Sequence, residues 1–291
     1  MEGKEKTALI TGCSSGLGRH TARLLREKGW RVYATARKEQ DVEALKKIGF
    51  DSFVLDLSRS DSIKSAVSRF GEENNHHLDA IIHNAAFYQM GAIEDLSRDA
   101  VRNQFETNVF GVIDLTASLI PLFRKQGHGK VVFISSLHSK FSFPFLGVYA
   151  ATKYALEAIS EALRRELWHT GIDIVNIYTG KFKSRMTENA IEVFRNKIDA
   201  EHSVHRDVYE NMLDYMCKIS SVSTEEKTIL VARRIVDVLE SRRPRPRIIV
   251  TAEDRFRYLA HKYLPNDIQE WLFFFKMKHL YKKDRNKRGK R

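Results

Sequence analysis

Near its N-terminus the chain reads TALIT, then GCSSGLG and, after Arg19, HTARLLREKG, spanning Thr7 to Gly29. An apolar run, a glycine turn and a helix-like stretch in that order dictate a strand, a sharp reversal and a helix packed back on the strand. Gly12, Gly16 and Gly18 let the backbone turn tightly and come close to a ligand. The helix N-terminus behind them offers free N–H groups and the positive end of its dipole to a phosphate. The glycine spacing is G-x-x-x-G-x-G. Ser14, Ser15 and Leu17 fill the turn, and the Ser14 hydroxyl is placed to give an adenosine 2′-phosphate one more hydrogen bond.

The alternation continues. Strands are expected at Arg31 to Ala36, Asp51 to Leu55, Asp79 to Ile82, Lys130 to Ser135 and Ile172 to Ile177, with helices at Gln40 to Ile48, Ser60 to Phe70 and Ser97 to Lys125. That order predicts an α/β fold with a single Rossmann-type, doubly wound parallel sheet. Ligands in such sheets bind beyond the C-terminal ends of the strands. The second strand ends at Ala36 and Arg37 with no carboxylate. A basic residue there accommodates a 2′-phosphate, so NADP(H) is favoured over NAD(H). Asp56 and Leu57 end the third strand, where Asp56 is placed to accept from an adenine amino group. Asn84 and Ala85 follow the fourth strand, where small residues allow a nucleotide to approach. His83 beside them reads as structural rather than catalytic.

The stretch VVFISSLHSKFSFPFLGVYAATKYAL, Val131 to Leu156, reads as a buried strand, an aromatic loop and the start of a long helix. Tyr149 and Lys153 are four apart, hence on one helix face a turn apart. Bringing a phenol from a pKa of ~10 to ~7 takes about 4 kcal/mol. One cation at about 4 Å in an effective dielectric of ~20 supplies roughly that amount. The pair therefore reads as proton-transfer machinery, with Ser136 at the strand end to hold a substrate oxygen. Asn108 lies in an apolar helix face, which is costly unless its amide is used. Its expected role is a helix distortion that holds water near Lys153.

Taken together, TGCSSGLG, the NAA at Asn84 to Ala86, Asn108, Ser136 and YAATK (Tyr149 to Lys153) resemble the classical short-chain dehydrogenase/reductase family over about Thr7 to Val250. VYATARK and YAATKYALEAISEALRREL resemble the branch of NADP-dependent aldehyde reductases, retinol dehydrogenases and 17β-hydroxysteroid dehydrogenases. The resemblance implies Tyr149 as general acid or base and Lys153 as the group that lowers its pKa and binds the nicotinamide ribose. It implies Ser136 as the substrate anchor and Asn108 as the holder of a relay water. After the sixth strand the family has Pro-Gly-x-x-x-Thr. Here Thr179, Gly180, Phe182 and Ser184 form that nicotinamide loop, with threonine in place of proline. The resemblance also implies a homodimer through the helices bearing Asn108 and Tyr149.

Phe141, Phe182 and Met186, with Ser136 and Tyr149, are the expected substrate contacts, and their apolar bulk favours a hydrophobic alcohol, aldehyde or ketone. Residues 187–221 read as a lid. The first 250 residues are read as the catalytic domain and 251–291 as a helical, basic extension. The formal net charge of +12 is concentrated at the end: KKDRNKRGKR carries seven basic side chains and one acidic. WLFFFKMKHLYKK before it suggests a peripheral membrane contact. No nucleic-acid-binding module is evident, so nucleic acid is not an expected partner. Two cysteines indicate no disulfide framework, and MEGKEK does not read as a signal peptide, so a cytoplasmic setting is expected. No metal ligand is assigned. The other function classes left open are a cofactor-binding sensor without turnover and a membrane-tethered interaction protein.

Overall fold

Short apolar runs with almost no alternation must be buried on both faces, and a parallel sheet with helices on either side is the arrangement that does so. The computed structural model describes residues 5–73, 77–180, 182, 185–222 and 224–282; the side chains of 218–222 and 276–282 are outside this description. Six strands, β1 (Thr7–Ile10), β2 (Arg31–Ala34), β3 (Ala80–His83), β4 (Gly129–Ser136), β5 (Ile172–Thr179) and β6 (Arg247–Ile249), pair in parallel in the order β2-β1-β3-β4-β5-β6. The chain leaves β1 for β2 on one side and returns to β3 on the other. The crevice between β1 and β3 is therefore the topological switch point.

The helices are α1 (Gly16–Glu27), α2 (Glu39–Lys47), α3 (Ser60–Glu73), α4 (Arg98–Phe105), α5 (Gly111–Gln126), α6 (Gly147–Glu166), α7 (Met186–Lys197), α8 (Arg206–Val222), α9 (Glu225–Glu240), α10 (Ala252–Tyr263) and α11 (Asn266–Lys282). Successive strand residues point to opposite faces. Ala8, Ile10, Val132 and Ile177 meet Ala22 and Leu25 of α1, Leu45 of α2 and Ile235 of α9. Leu9, Ile81, Val131 and Phe133 meet Phe70 of α3, Leu115 of α5 and Leu156 of α6. Each large apolar side chain buried this way contributes roughly 1.5–3 kcal/mol.

One expected element differs. Residues Asp51 to Leu55 are not a strand but an edge segment, touching β2 through isolated parallel bridges at Tyr33–Asp51 and Ala36–Val54. The Asp51 carboxylate is drawn to Arg31 at 2.8 Å, and the Ser52 hydroxyl turns back on the Phe50 carbonyl. The helical region from Ser97 runs unbroken to Gln126 and carries the distortion expected at Asn108. Between α4 and α5, Glu106–Phe110 forms a π-helical turn centred on Asn108.

On α6, Tyr149, Lys153 and Glu157 form one stripe four residues apart, and all three are buried. The Glu157 carboxylate accepts from Tyr178 of β5 at 2.6 and 2.7 Å, from Asn176 at 3.0 Å and from Arg247 of β6 at 3.2 Å, and pairs with Lys140 at 2.9 Å. Burial works against this charge, but the hydrogen bonds from Tyr178, Lys140 and Arg247 outweigh it and hold its pKa below the ordinary value of 4.5. A carboxyl group lowered on folding stabilises the protein above its unfolded pKa and loses that contribution as pH falls through the folded value. Glu157→Ala, which strands the Tyr178 hydroxyl and Lys140, is expected to cost about 3 kcal/mol at pH 7. Urea unfolding measures it, and the difference from wild type should shrink toward pH 4. An equal difference at both pH values would contradict this.

Candidate active site

At the switch point the glycine turn is locked by Thr11 and Asn84. The Thr11 hydroxyl accepts from the Asn84 and Ala85 N–H groups at 3.0 and 2.9 Å. Asn84 Nδ2 donates to the carbonyls of Thr11 and Gly12 at 2.9 Å each. Gly12 has φ of 73°, and a Cβ there would lie 2.9 Å from Ala85 Cα. A Cβ on Gly18 would lie 2.5 Å from the Gly12 carbonyl oxygen. The turn, the start of α1 and the loop after β3 thus interlock with no room for side chains. Asn84 braces the turn from behind instead of presenting its amide to a ligand.

Ser15, the N-cap of α1, is extended and makes no side-chain capping bond, and the first turn holds no acidic residue. The leading N–H groups of α1 keep their donor capacity and dipole for an anion, which suits a dinucleotide diphosphate. Leu17 is buried in the α1 face of the core, so only its backbone can serve a ligand. Arg37 is exposed and shares a groove of about 380 Å³ with Val54, Asp56, Arg59 and Ser62. Asp56 Oδ1 is taken by the Ser58 N–H and hydroxyl at 3.0 and 2.7 Å, so Asp56 shapes this loop. The Leu57 carbonyl lies against Gly111, where even a methyl group would collide at 1.8 Å.

The reaction end lies at the C-terminal edge of β4. Ser136, Tyr149 and Lys153 are all buried. Burial raises the Tyr149 pKa above that of a free phenol; a hydrogen bond from Ser136 pulls it down only in part, and Tyr88 adds a further upward push. Lys153 Nζ donates to the Ile134 carbonyl at 3.0 Å and stands 5.8 Å from the Tyr149 ring centroid. Burial lowers the Lys153 pKa to about 8. Burial dominates and Lys153 is not among the groups that shift Tyr149, so the expected lowering toward neutrality is not met. The protein's own groups keep the phenol protonated at neutral pH.

Asn108 uses its whole amide, as its cost of burial demands. Oδ1 accepts from the Phe87 N–H at 3.2 Å, and Nδ2 donates to the Phe87 carbonyl at 2.8 Å and to Thr152 Oγ1 at 3.3 Å. Thr152 precedes Lys153, so Asn108 ties the loop after β3 to α6. His83 is buried, stacked on Phe133 and bonded to Thr116 at 2.8 Å, and burial lowers its pKa to about 3. It is a structural histidine.

In the loop after β5, the Thr179 hydroxyl donates to the Ser135 carbonyl at 3.1 Å, a tie that a proline ring could not make. The Gly180 N–H donates to Asp254 Oδ2 at 3.1 Å. Asp254 is buried at the start of α10, held by its N-cap Thr251. The C-terminal extension therefore reaches back and fixes this loop. Phe182 packs against the α1–α9 face of the core, away from the cluster around Tyr149. Ser184 lies outside the described residues.

Tyr149 shares an apolar cluster with Tyr88, Met90, Met186, Phe194 and Tyr209. The last two come from α7 and α8, so the helices expected as a lid cover the Tyr149 side of the site. The Tyr209 hydroxyl accepts from the Ala92 N–H at 2.7 Å and donates to Asp95, pinning α8 to the loop after β3. Phe145 adopts φ of 63°, a strained conformation for a bulky residue, and is held there by Tyr209 and His205. Phe141 stands farther out, 6.1 Å from His138, whose ring lies 5.6 Å from that of Tyr149.

Thr11, Glu157, Asp254 and His138 were not singled out in the sequence. His138 had a signal, an isolated imidazole two residues after Ser136. Glu157 had one too, as the third member of the i, i+4, i+8 stripe on α6.

A parallel sheet with its glycine turn at the switch point, and a buried serine, tyrosine and lysine beyond β4, define a Rossmann-type oxidoreductase. Residues 6–193 match the family described as short chain dehydrogenase, and the chain belongs to that family. It is 39% identical over 193 residues to the uncharacterized oxidoreductase YbbO of Escherichia coli K12, covering 66% of this chain and 72% of the relative. It is 31% identical over 284 residues to rat retinol dehydrogenase 16, covering 94% and 89%. A short-chain dehydrogenase structure from Streptomyces avermitilis superposes with a TM-score of 0.74 at 24% identity, covering 96% of this chain and 98% of that one.

A lysine lowered on folding destabilises the native state below the folded pKa, and stability recovers as pH rises from about 8 toward 10.5. Lys153→Met should therefore stabilise the protein by about 2 kcal/mol at pH 7 and flatten its stability between pH 8 and 10, as read by thermal unfolding. A less stable variant would contradict the burial cost.

Proposed function

We propose that the chain is an NADP(H)-dependent oxidoreductase interconverting a hydrophobic alcohol with its aldehyde or ketone. The observation that carries this reading is the burial of Ser136, Tyr149 and Lys153 together at the C-terminal edge of β4, with Tyr149 and Lys153 one turn apart on the same helix. The nicotinamide, when bound, supplies or takes the hydride. The protein's part is positioning and the proton. Ser136 orients the substrate oxygen. Tyr149, protonated at neutral pH, donates to that oxygen in reduction and receives the proton back in oxidation. Lys153 holds the ribose and replenishes the proton. The Asn108 amide is committed to Phe87 and Thr152, so a relay water would be held by main-chain carbonyls of the π turn.

The cofactor reading rests on the uncapped α1 N-terminus for the diphosphate and on Arg37, exposed at the adenosine groove, for a 2′-phosphate. Gly12, Ser14, Ser15, Gly16, Asp56, Leu57, Ala85, Thr179 and Gly180, with the main chain of Asn84, complete the proposed cofactor contacts. A hydrophobic substrate is supported by the apolar cluster around Tyr149. The name of the rat relative makes a retinoid alcohol the first class to screen. Exposed Phe110 and Ile113 of the π turn and α5, with Tyr154 of α6, favour a homodimer through these helices.

Tyr149→Phe keeps the apolar ring and removes the proton. It is expected to bind NADPH as the wild type does and to lose at least ~10³-fold in kcat on lipophilic aldehydes or ketones. Steady-state kinetics with parallel calorimetry check this. Binding without turnover in the wild type, on any carbonyl substrate, would instead favour a cofactor-binding sensor.

A peripheral membrane contact is part of the same proposal. None of the described helices is long and apolar enough to cross a membrane. Helix α11 nevertheless exposes Trp271 at 63% and Phe275 at 70%, with Leu272 and Phe274 beside them. Phe273 of α11 packs 5.9 Å from Phe143 in the loop between Ser136 and Tyr149. A bilayer engaged by α11 would thus lie near the substrate loop. Trp271→Ala with Phe275→Ala should lower co-sedimentation with phosphatidylserine-containing vesicles about tenfold or more while leaving turnover of a water-soluble substrate unchanged. Unchanged sedimentation would remove the membrane contact from the proposal.

A further inference from the structure

The end of the sheet opposite the reaction centre carries a cluster that no part of this chemistry uses. We propose that His77, Asp79 and His128 form a transition-metal site there, suited to Zn²⁺. His77 and Asp79 flank Leu78 on the connection from α3 into β3, and His128 lies in the turn between α5 and β4. His77 Nε2 is 3.2 Å from Asp79 Oδ2, and His128 Nε2 is 3.3 Å from Asp79 Oδ1. One donor atom from each residue lies within 4.8 Å of the others. An ion bound tetrahedrally at ~2.1 Å separates neighbouring ligand atoms by roughly 3.4 Å, so each histidine already stands near bonding separation from one carboxylate oxygen.

The cluster is built from behind. Gln126 clamps the residue between the two first ligands: its Oε1 accepts from the Leu78 N–H at 2.9 Å and its Nε2 donates to the Leu78 carbonyl at 2.7 Å. The carbonyl of the same Gln126 lies 3.2 Å from His128 Nδ1. Asp79 Oδ2 also accepts from the Thr7 N–H at 2.7 Å, which fixes the carboxylate. His128 therefore faces an acceptor at each ring nitrogen, the Gln126 carbonyl at Nδ1 and Asp79 at Nε2. A neutral imidazole has one N–H and cannot satisfy both. With Nδ1–H on the carbonyl, the Nε2 lone pair points toward the carboxylate, and either a second proton or a metal ion between them resolves the conflict. This is the second-sphere pattern that orients histidine ligands in metal sites. Two imidazoles and one carboxylate suit Zn²⁺, Ni²⁺ or Cu²⁺ and not Mg²⁺ or Ca²⁺, which take all-oxygen sets. Bound there, an ion would staple the α3–β3 connection to the α5–β4 turn. Its expected effect is on stability and not on turnover.

The test uses the full chain after chelator treatment and dialysis. Calorimetry with ZnCl₂ should give one site per chain, and Co²⁺ should give visible absorption bands of a nitrogen- and oxygen-ligated ion. Zn²⁺ at a hundred times its Kd should raise Tm by about 5 °C, and MgCl₂ should not. His128 is half-exposed and tolerates truncation, so His128→Ala should fold and lose at least tenfold in Zn²⁺ affinity. His202→Ala, in the surface His202–Asp199 pair, should not. Binding unchanged in His128→Ala, an equal Tm shift with Mg²⁺, or no uptake at 100-micromolar order Zn²⁺ would overturn the site.

Discussion

The buried ammonium of Lys153 is the constraint on which the other features of the site depend. Its carbon stem and charge sit on α6 beneath the end of β4, with the Ile134 carbonyl as its hydrogen-bond partner at 3.0 Å. Removing a charge from water costs more than one hydrogen bond returns, and the lowered Lys153 pKa records that cost. The position is sustained by what surrounds it. Two core layers clamp the sheet, Asn108 fastens α6 to the loop after β3, and Glu157 one turn further on ties α6 to β5 and β6. Substrate-side apolar packing then seals Tyr149 above it. The desolvation that makes Lys153 costly also keeps Tyr149 protonated, and it makes both groups responsive to a charge arriving nearby.

The C-terminal residues are part of this arrangement. Asp254 fixes the Gly180 N–H, His261 of α10 packs 5.0 Å from Phe141, and Phe273 of α11 packs against Phe143. The loop after β5 and the loop between Ser136 and Tyr149 therefore both lean on elements beyond the last strand. Thr179, where the family has proline, is accommodated by the same logic. Its hydroxyl bonds back to β4, and Asp254 supplies from outside the rigidity that a ring would supply from within.

Much of this was legible in the residues. Periodicity, glycine spacing and strand-end chemistry were enough for the parallel sheet and the grouping of Ser136, Tyr149, Lys153 and Asn108, because those signals are local. The π turn was anticipated from the cost of burying Asn108 in a helix, although the region otherwise read as a continuous helix. The misses are non-local. Asp51 to Leu55 has a strand's composition, but the Arg31 pair and the Ser52 turn leave only two bridges. Phe182 follows a strand end like its neighbours, yet it turns to the opposite face of the sheet. Nothing near Asp254 in the sequence reveals that its carboxylate meets Gly180, because 74 residues separate them. The electrostatics of Tyr149 were misjudged for a similar reason. Spacing gives the distance to a cation, but the sign of the shift depends on how completely the fold excludes water.

The measurement that bears most directly on this account is a calorimetric titration of NADPH against NADH on the wild-type chain and on Arg37→Ala. The account predicts that NADPH binds the wild type at least tenfold more tightly, and that Arg37→Ala removes this preference by weakening NADPH alone. Equal binding of the two nucleotides by the wild type, or binding of neither, would contradict it.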